Sequence, residues 1–230
     1  MAMLISCWQD PPQSLSLDSN ELHLWRIFLP VCRTTQLLLK STLSPDERAR
    51  AERLLDPKKA ADFVAARGRL RQILGNYLNF QPAELAFSYS RKGKPALHAD
   101  FSSTLGFNLA HSGEWALLAV AADTAVGVDL EQIDPRIDCR KIAAHFFDPA
   151  EKIIFNKFSE QRRRRGFYRI WTRKEAGLKR SGRGFSADPA ADSTDTAGQS
   201  QVLPIWKHYL GAISVSEKIS YVQRYQLIEK

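Results

Sequence analysis

The stretch GVDLEQI, Gly127 to Ile133, decides how the chain is read. As a strand, its period of two puts Asp129 and Glu131 on one face, and a run ending in apolar residues has no packing reason to set two carboxylates side by side. Something has to neutralise them. Laid on itself with a shift of 104 residues (148 − 44), the chain matches Pro45 to Pro149, Glu47 to Glu151, Phe63 to Phe167 and Leu74 to Leu178 without a gap. The upstream run LHLWRIFL falls on VGVDLEQI under the same shift. A strand, a long helical segment and further strands therefore occur twice. The expected fold class is α+β, built as two similar halves, 1–112 and 113–230, each an antiparallel sheet packed on a long helix and the two related by a pseudo-two-fold.

Local signals fill in this frame. ELHLWRIFL alternates as a strand, and the segment from Leu43 to Leu78 reads as one or two helices opened by Ser44 as N-cap, Pro45 at the first position and Glu47 closing a capping box. FFDPAEKIIFNKF repeats that signature with Asp148, Pro149 and Glu151. ELAFSYS reads as a strand and RKGKPAL as a turn leading into another. LGFNLAHSGEWALLAVAADTAVGVDLEQI reads as one antiparallel set broken by the HSGE and ADT turns. FSADPAADSTDTAGQSQVLP lacks periodicity and is expected to be an exposed, mobile loop. ISVSEKISYVQRYQLI alternates like the closing strands of a sheet.

Composition narrows the function classes. In 230 residues, 44% are hydrophobic and 25% charged, enough for a proper core. The 33 Lys+Arg against 25 Asp+Glu give a formal charge of +8, which favours anionic partners. Cys7, Cys32 and Cys139 are widely spaced and suggest neither a disulfide framework nor a zinc site. No run resembles a signal peptide or a spanning helix, so a cytoplasmic protein with no membrane partner is expected. The P-loop, dinucleotide-binding and serine-hydrolase signatures are all missing.

Three clusters carry candidate chemistry. Asp129 and Glu131 present hard oxygens that suit Mg²⁺, a metal held by one or two carboxylates plus phosphates and water, although a D-x-E pair alone equally fits a solvated strand edge. In FYRIWTRKEAGLKRSGRGF, Phe167, Ile170, Trp171 and Leu178 mark an apolar helix face. Glu175 and Lys179 lie one turn apart, as a surface ion pair or as a third carboxylate and an ammonium completing a magnesium diphosphate site. His111 in GFNLAHSGEW is either structural or a phosphate donor, and Lys92 and Lys94 around Gly93 make a solvated turn or a phosphate grip. The run Arg162 to Arg165 has no interleaved aromatics, so a solvated segment or a docking patch for an acidic protein is preferred to nucleic-acid binding.

Taken in order, GKP, FNLAHS, GVDLEQI, FFDPAE and WTRKEAGLKRSGRGF resemble the 4'-phosphopantetheinyl transferases of the larger, pseudo-dimeric type. The resemblance implies transfer of the phosphopantetheine arm of coenzyme A to a serine of an acidic acyl, peptidyl or aryl carrier protein, with Mg²⁺, by a monomer whose fused halves bind coenzyme A at their interface. It implies that Asp129, Glu131 and Glu175 hold the magnesium, that Glu175 is also a candidate base, and that Lys179 holds the phosphate under attack. His111 and Lys94, with Pro95 beside it, match positions near the cofactor phosphates, and Arg50 and Arg67 match basic positions near the nucleotide end. Glu151 matches either a frequent family glutamate or the capping role of Glu47. Ala110 stands where the family usually has Ser, and Gly177 where it often has an aromatic. Two other readings compete: a basic nucleic-acid-binding module, and a magnesium phosphohydrolase that uses water in place of a carrier hydroxyl.

Overall fold

The computed structural model describes residues 4–184 and 199–229, an α+β arrangement with mixed sheets. The strands are β1 (Leu4–Gln9), β2 (Glu21–Phe28), β3 (Phe87–Tyr89), β4 (Pro95–Leu97), β5 (Leu105–Ser112), β6 (Trp115–Ala122), β7 (Val126–Gln132), β8 (Gln199–Trp206), β9 (Tyr209–Val215) and β10 (Tyr221–Leu227). The helices are α1 (Arg33–Ser41), α2 (Pro45–Glu52), α3 (Pro57–Leu78), α4 (Cys139–Phe146), α5 (Pro149–Asn156) and α6 (Glu160–Ser181). One sheet runs β1-β10-β2-β6-β5, a second runs β7-β9-β8, and β3 and β4 form a separate hairpin.

The expected helix starts are present. Ser44 caps α2 with Glu47 reaching back to its amide, and Asp148 does the same for α5 with Glu151. These two helices begin 104 residues apart (149 − 45), and α3 and α6 that follow them are each 22 residues long. The triplet β2-β6-β5 and the triplet β7-β9-β8 both place the last strand of the chain segment between the other two or beside the first in the same way: first, third, second.

Three strand expectations are corrected. β7 does not continue the β5–β6 set but pairs with β9; between β6 and β7, Asp123 takes a left-handed conformation (φ 55°). The closing strands divide: β9 joins β7 and β8, while β10 inserts parallel between β1 and β2. β5 and β6 form a hairpin, and both β6 and β10 lie in the sheet of β2. Of the expected loop, residues 185–198 lie outside the described residues, whereas Gln199 to Pro204 are in β8.

β2 is buried on both faces, which explains its nearly continuous apolar run. Trp25 and Ile27 pack with Leu70 and Leu74 of α3, while Leu22 and Leu24 pack toward Val128 and Leu130 of β7. A third core of Phe147, Phe155, Phe167 and Tyr168 joins α4, α5 and α6. α6 lies directly on β7 because of Gly127: a Cβ there would stand 2.1 Å from the Ala176 carbonyl oxygen and 2.3 Å from the Arg180 nitrogen. No described helix is long and apolar enough to cross a membrane.

Candidate active site

That close approach brings β7 and the end of α6 into one site. Trp171, Glu175 and Lys179 recur every fourth residue and share the helix face that meets the strand. Asp129, only 3% exposed, accepts from Lys179 Nζ at 2.6 Å through Oδ1, while its Oδ2 is buried with no hydrogen-bond partner. Glu131 accepts from Ser112 Oγ at 3.1 Å and from Trp171 Nε1 at 3.4 Å. Burial raises the pKa of Asp129 against the opposing pull of Lys179, and burial followed by the charge of Asp129 raises that of Glu131. Glu175 is pushed up to about 7, first by burial, with Lys179 opposing and the charges of Asp129 and Glu131 adding. Three carboxylates thus share one nearby ammonium.

Among the described residues no group of three or more His, Cys, Asp and Glu stands in position to enclose a metal ion. The donors fit an open magnesium site instead. Their oxygens are hard, Asp129 Oδ2 is a buried acceptor without a partner, and a divalent cation would offset the burial, and with it the mutual repulsion, that raise Glu131 and Glu175.

The site opens into a cleft. A cavity of about 240 Å³ is lined by Lys92, Lys94, Leu109, Glu175, Lys179 and Gly182. It shares Gly93, Pro95 and Leu109 with a second, of about 200 Å³, lined by Glu47, Arg50, Arg67, Tyr89 and His111. That one in turn shares Arg50, Phe63 and His111 with a third, of about 460 Å³, which reaches Lys58 and Lys59. The structure therefore sets Arg50, Arg67, Lys94, Pro95 and His111 along one basic cleft that ends at Glu175 and Lys179.

Their individual roles differ. Lys94 Nζ donates to the backbone carbonyls of Val126 (3.1 Å) and Arg180 (2.9 Å), so it ties the β3–β4 hairpin to β7 and α6 while still bordering the cleft. Arg50 lies over the Phe63 ring at 5.3 Å, and Arg67 is bonded to Glu47. Glu151 has the capping geometry, accepting the Asp148 amide at 2.9 Å, and also accepts from buried Lys174 Nζ at 3.0 Å. Arg163 and Arg164 of the arginine run donate to the Phe158 and Pro135 carbonyls.

Of the two departures, Ala110 is a buried part of the core between the sheets, while His111 on the opposite face of β5 borders the cleft. A Cβ on Gly177 would meet nothing within 4 Å, so that position has room for a side chain. Ser112, Lys174 and Tyr89 were not singled out by the sequence. For Ser112 a signal existed, since the period of two that turns His111 to the cleft turns Ser112 toward β7.

A buried acidic pair and a helical Glu-x-x-x-Lys, at the end of a basic cleft in an α+β chain, define a protein that handles an anionic substrate beside carboxylates. Residues 125–225 match the 4'-phosphopantetheinyl transferase superfamily and residues 30–123 the N-terminal region of 4'-phosphopantetheinyl transferases. The chain is 40% identical over 209 residues to the 4'-phosphopantetheinyl transferase HetI of Nostoc sp., covering 89% of this chain and 88% of that one. It is 32% identical over 148 residues to the transferase psf-1 of Bacillus pumilus (64% and 61% covered), and 38% identical over 106 residues to the transferase AcpT of Salmonella typhi (46% and 54%). The chain belongs to the 4'-phosphopantetheinyl transferase family.

Proposed function

We propose that the chain transfers the 4'-phosphopantetheine arm of coenzyme A to a serine hydroxyl of an acidic acyl, peptidyl or aryl carrier protein, leaving adenosine 3',5'-bisphosphate, as a holo-carrier synthase. The observation that carries this reading is the pairing of Lys179 with Asp129 beside Glu175, at one end of the basic cleft. Bound Mg²⁺, held through Asp129, Glu131 and Glu175, would neutralise charge on the coenzyme A diphosphate. Glu175 takes the proton from the serine Oγ as that oxygen attacks the pantetheine-side phosphorus. The bond from this phosphorus to the bridging oxygen breaks, and the nucleotide leaves with that oxygen. Lys179 steadies the charge that develops on the phosphoryl group.

Arg50, Arg67 and His111 hold the nucleotide end, with Lys94 and Pro95 shaping the passage between. The first half thus carries the nucleotide and the second the magnesium and catalytic residues. The equal strand order and the spacing of α2 and α5 support a pseudo-two-fold between the halves, with coenzyme A at their interface. Such a chain acts as a monomer, and its formal charge of +8 suits an acidic carrier.

The test is the intact mass of an apo carrier protein after incubation with this protein, coenzyme A and Mg²⁺. A gain of one phosphopantetheine that disappears with EDTA is expected. Release of phosphate or pantetheine without any carrier would favour a hydrolase instead.

A further inference from the structure

Helix α3 lines a second cavity on the side turned away from the catalytic cleft. Ala66 and Arg67 border the cleft, whereas Arg69, two residues on, lies about 200° around the helix. With Gln72, Ile73 and Asn76 it lines a cavity of about 390 Å³ that shares no lining residue with the three compartments of the cleft. That volume falls within the range of small-molecule sites.

The walls are mostly apolar. Trp25 and Ile73 are buried and belong to the core under α3, and half-buried Leu15 and Leu227 pack against the same core. Trp25 Nε1 already donates to Tyr77 Oη at 3.2 Å, so this residue offers the cavity its ring and no free donor. The Pro82 edge is held in place, because its carbonyl accepts from Arg71 Nη1 at 3.0 Å.

One cation stands among these walls. Arg67 and Arg71 share the Glu47 carboxylate, whereas Arg69 between them makes no ion pair among the described residues. Its Nη1 donates to Gln72 Oε1 at 3.0 Å, its Nε is buried without a partner, and its Nη2 has no hydrogen bond among the described residues. Nε and Nη2 form the edge with which a guanidinium grips both oxygens of a carboxylate, and in Arg69 that edge is unbonded. Glu229 is near enough to favour the charged form of Arg69, but its oxygens serve the Cys32 amide at 3.1 Å and the Thr35 hydroxyl at 2.8 Å. Burial outweighs that influence and lowers the Arg69 pKa, as for a cation short of counter-charge.

We propose that this cavity binds a small amphipathic monocarboxylate, an aliphatic or aromatic acid, whose carboxylate pairs with the open edge of Arg69 and whose apolar body lies on Trp25, Leu15 and Leu227. Arg69 is the one cation among the lining residues, and its polar neighbours Gln72 and Asn76 are neutral amides, which suits a single negative charge better than a phosphate dianion. The site lies apart from the cleft, so the acid and a nucleotide occupy the protein together, and the inference stands independently of the transfer reaction.

The test titrates the full chain with decanoate and follows the Trp25 indole cross-peak in proton–nitrogen spectra. A saturable shift is expected, with an affinity at least about tenfold above that of decanol, which has the same chain and no charge. Excess adenosine 3',5'-bisphosphate should leave the decanoate affinity within about twofold. Arg69→Gln should weaken decanoate about tenfold and leave decanol within about twofold. If Arg69→Gln does not fold, Arg69→Lys carries the test, since it keeps the charge and removes the planar fork; it should show the same selective loss. Equal affinity for decanoate and decanol overturns the carboxylate pairing, as does an unchanged decanoate affinity in the folded variant. Displacement of decanoate by the bisphosphate assigns the acid to the catalytic cleft and overturns the separate site, and a wild-type protein with no saturable shift overturns the proposal outright.

Discussion

Helices α3 and α6 have the same length and the same preface, a short helix whose capping-box glutamate is buried against the long one, but they use that glutamate differently. In the first half Glu47 is gripped by Arg67 and Arg71. At the sequence shift of 104, those positions hold Trp171 and Glu175, and the cation on Glu151 comes from Lys174, one residue nearer the N-terminus. One residue is a rotation of about 100° around a helix, so the cation turns inward and position 175 is left to face the cleft. The facing strands differ in the same sense: Trp25 and Ile27 of β2 stand where β7 has Asp129 and Glu131. Trp25 and Ile27 fill a core, whereas Asp129 is buried with an oxygen lacking any partner. The segment around α3 and β2 is thus packed and the one around α6 and β7 polar, and the difference lies in four or five side chains.

Swapping the two kinds of position breaks the comparison most sharply. Asp129→Ala or Glu175→Ala should lower carrier modification by at least about a hundredfold in the mass assay, with the urea midpoint close to wild type. The counterpart Trp25→Ala should cost about 3–5 kcal/mol of stability, read from urea unfolding, while the folded fraction retains its turnover. Wild-type turnover in either acidic variant would remove the metal and base assignments.

The parts legible in the sequence are those fixed locally. Caps, the strand β2 and the spacings i, i+2 and i, i+4 of the acidic site depend on neighbours in the chain, and all appear where expected. Helix α1 is not legible in the sequence, because Leu37 and Leu38 are 61% and 60% exposed and its apolar pattern does not mark a buried face cleanly. The sheet to which β7 belongs depends on pairing with β9 more than 70 residues on (209 − 132 = 77), which periodicity cannot report. The tie of Lys94 to the backbone carbonyls of Val126 and Arg180 leaves no mark in side-chain chemistry, so the spacing of residues does not announce it.

The two capping glutamates should also differ in pH dependence. Burial pushes Glu47 up, but Arg67, Arg71 and the Ser44 amide outweigh it and leave its pKa below the ordinary value. Its contribution is therefore present above the unfolded pKa of about 4.3 and is lost as pH falls through the folded value. For Glu151 burial prevails over the Asp148 amide and Lys174, and the pKa is raised. The folded state then holds that proton more tightly, so stability falls as pH rises from the unfolded to the folded value. Urea midpoints across this weakly acidic range should slope oppositely for the two residues: Glu47→Gln flattens the acid-side loss, and Glu151→Gln removes the decline. Equal slopes in both variants would mean that Lys174 serves Glu151 as well as two arginines serve Glu47.

The smallest effects concern glycines on the same two helices. A Cβ at Gly68 in α3 would stand 2.7 Å from Leu39 Cβ, so Gly68→Ala has to push α1 aside and should cost about 1–3 kcal/mol. At Gly177 in α6 the space is open. Gly177→Ala relieves the backbone entropy of a helical glycine and should gain about 0.5–1 kcal/mol in urea unfolding. Measured beside transfer activity, it also tests why the position lacks a side chain. If stability rises and turnover is kept, Gly177 has no hand in the reaction; if stability rises while turnover falls, the open space at Gly177, on a face of α6 turned away from Glu175 and Lys179, is needed by a partner of the reaction.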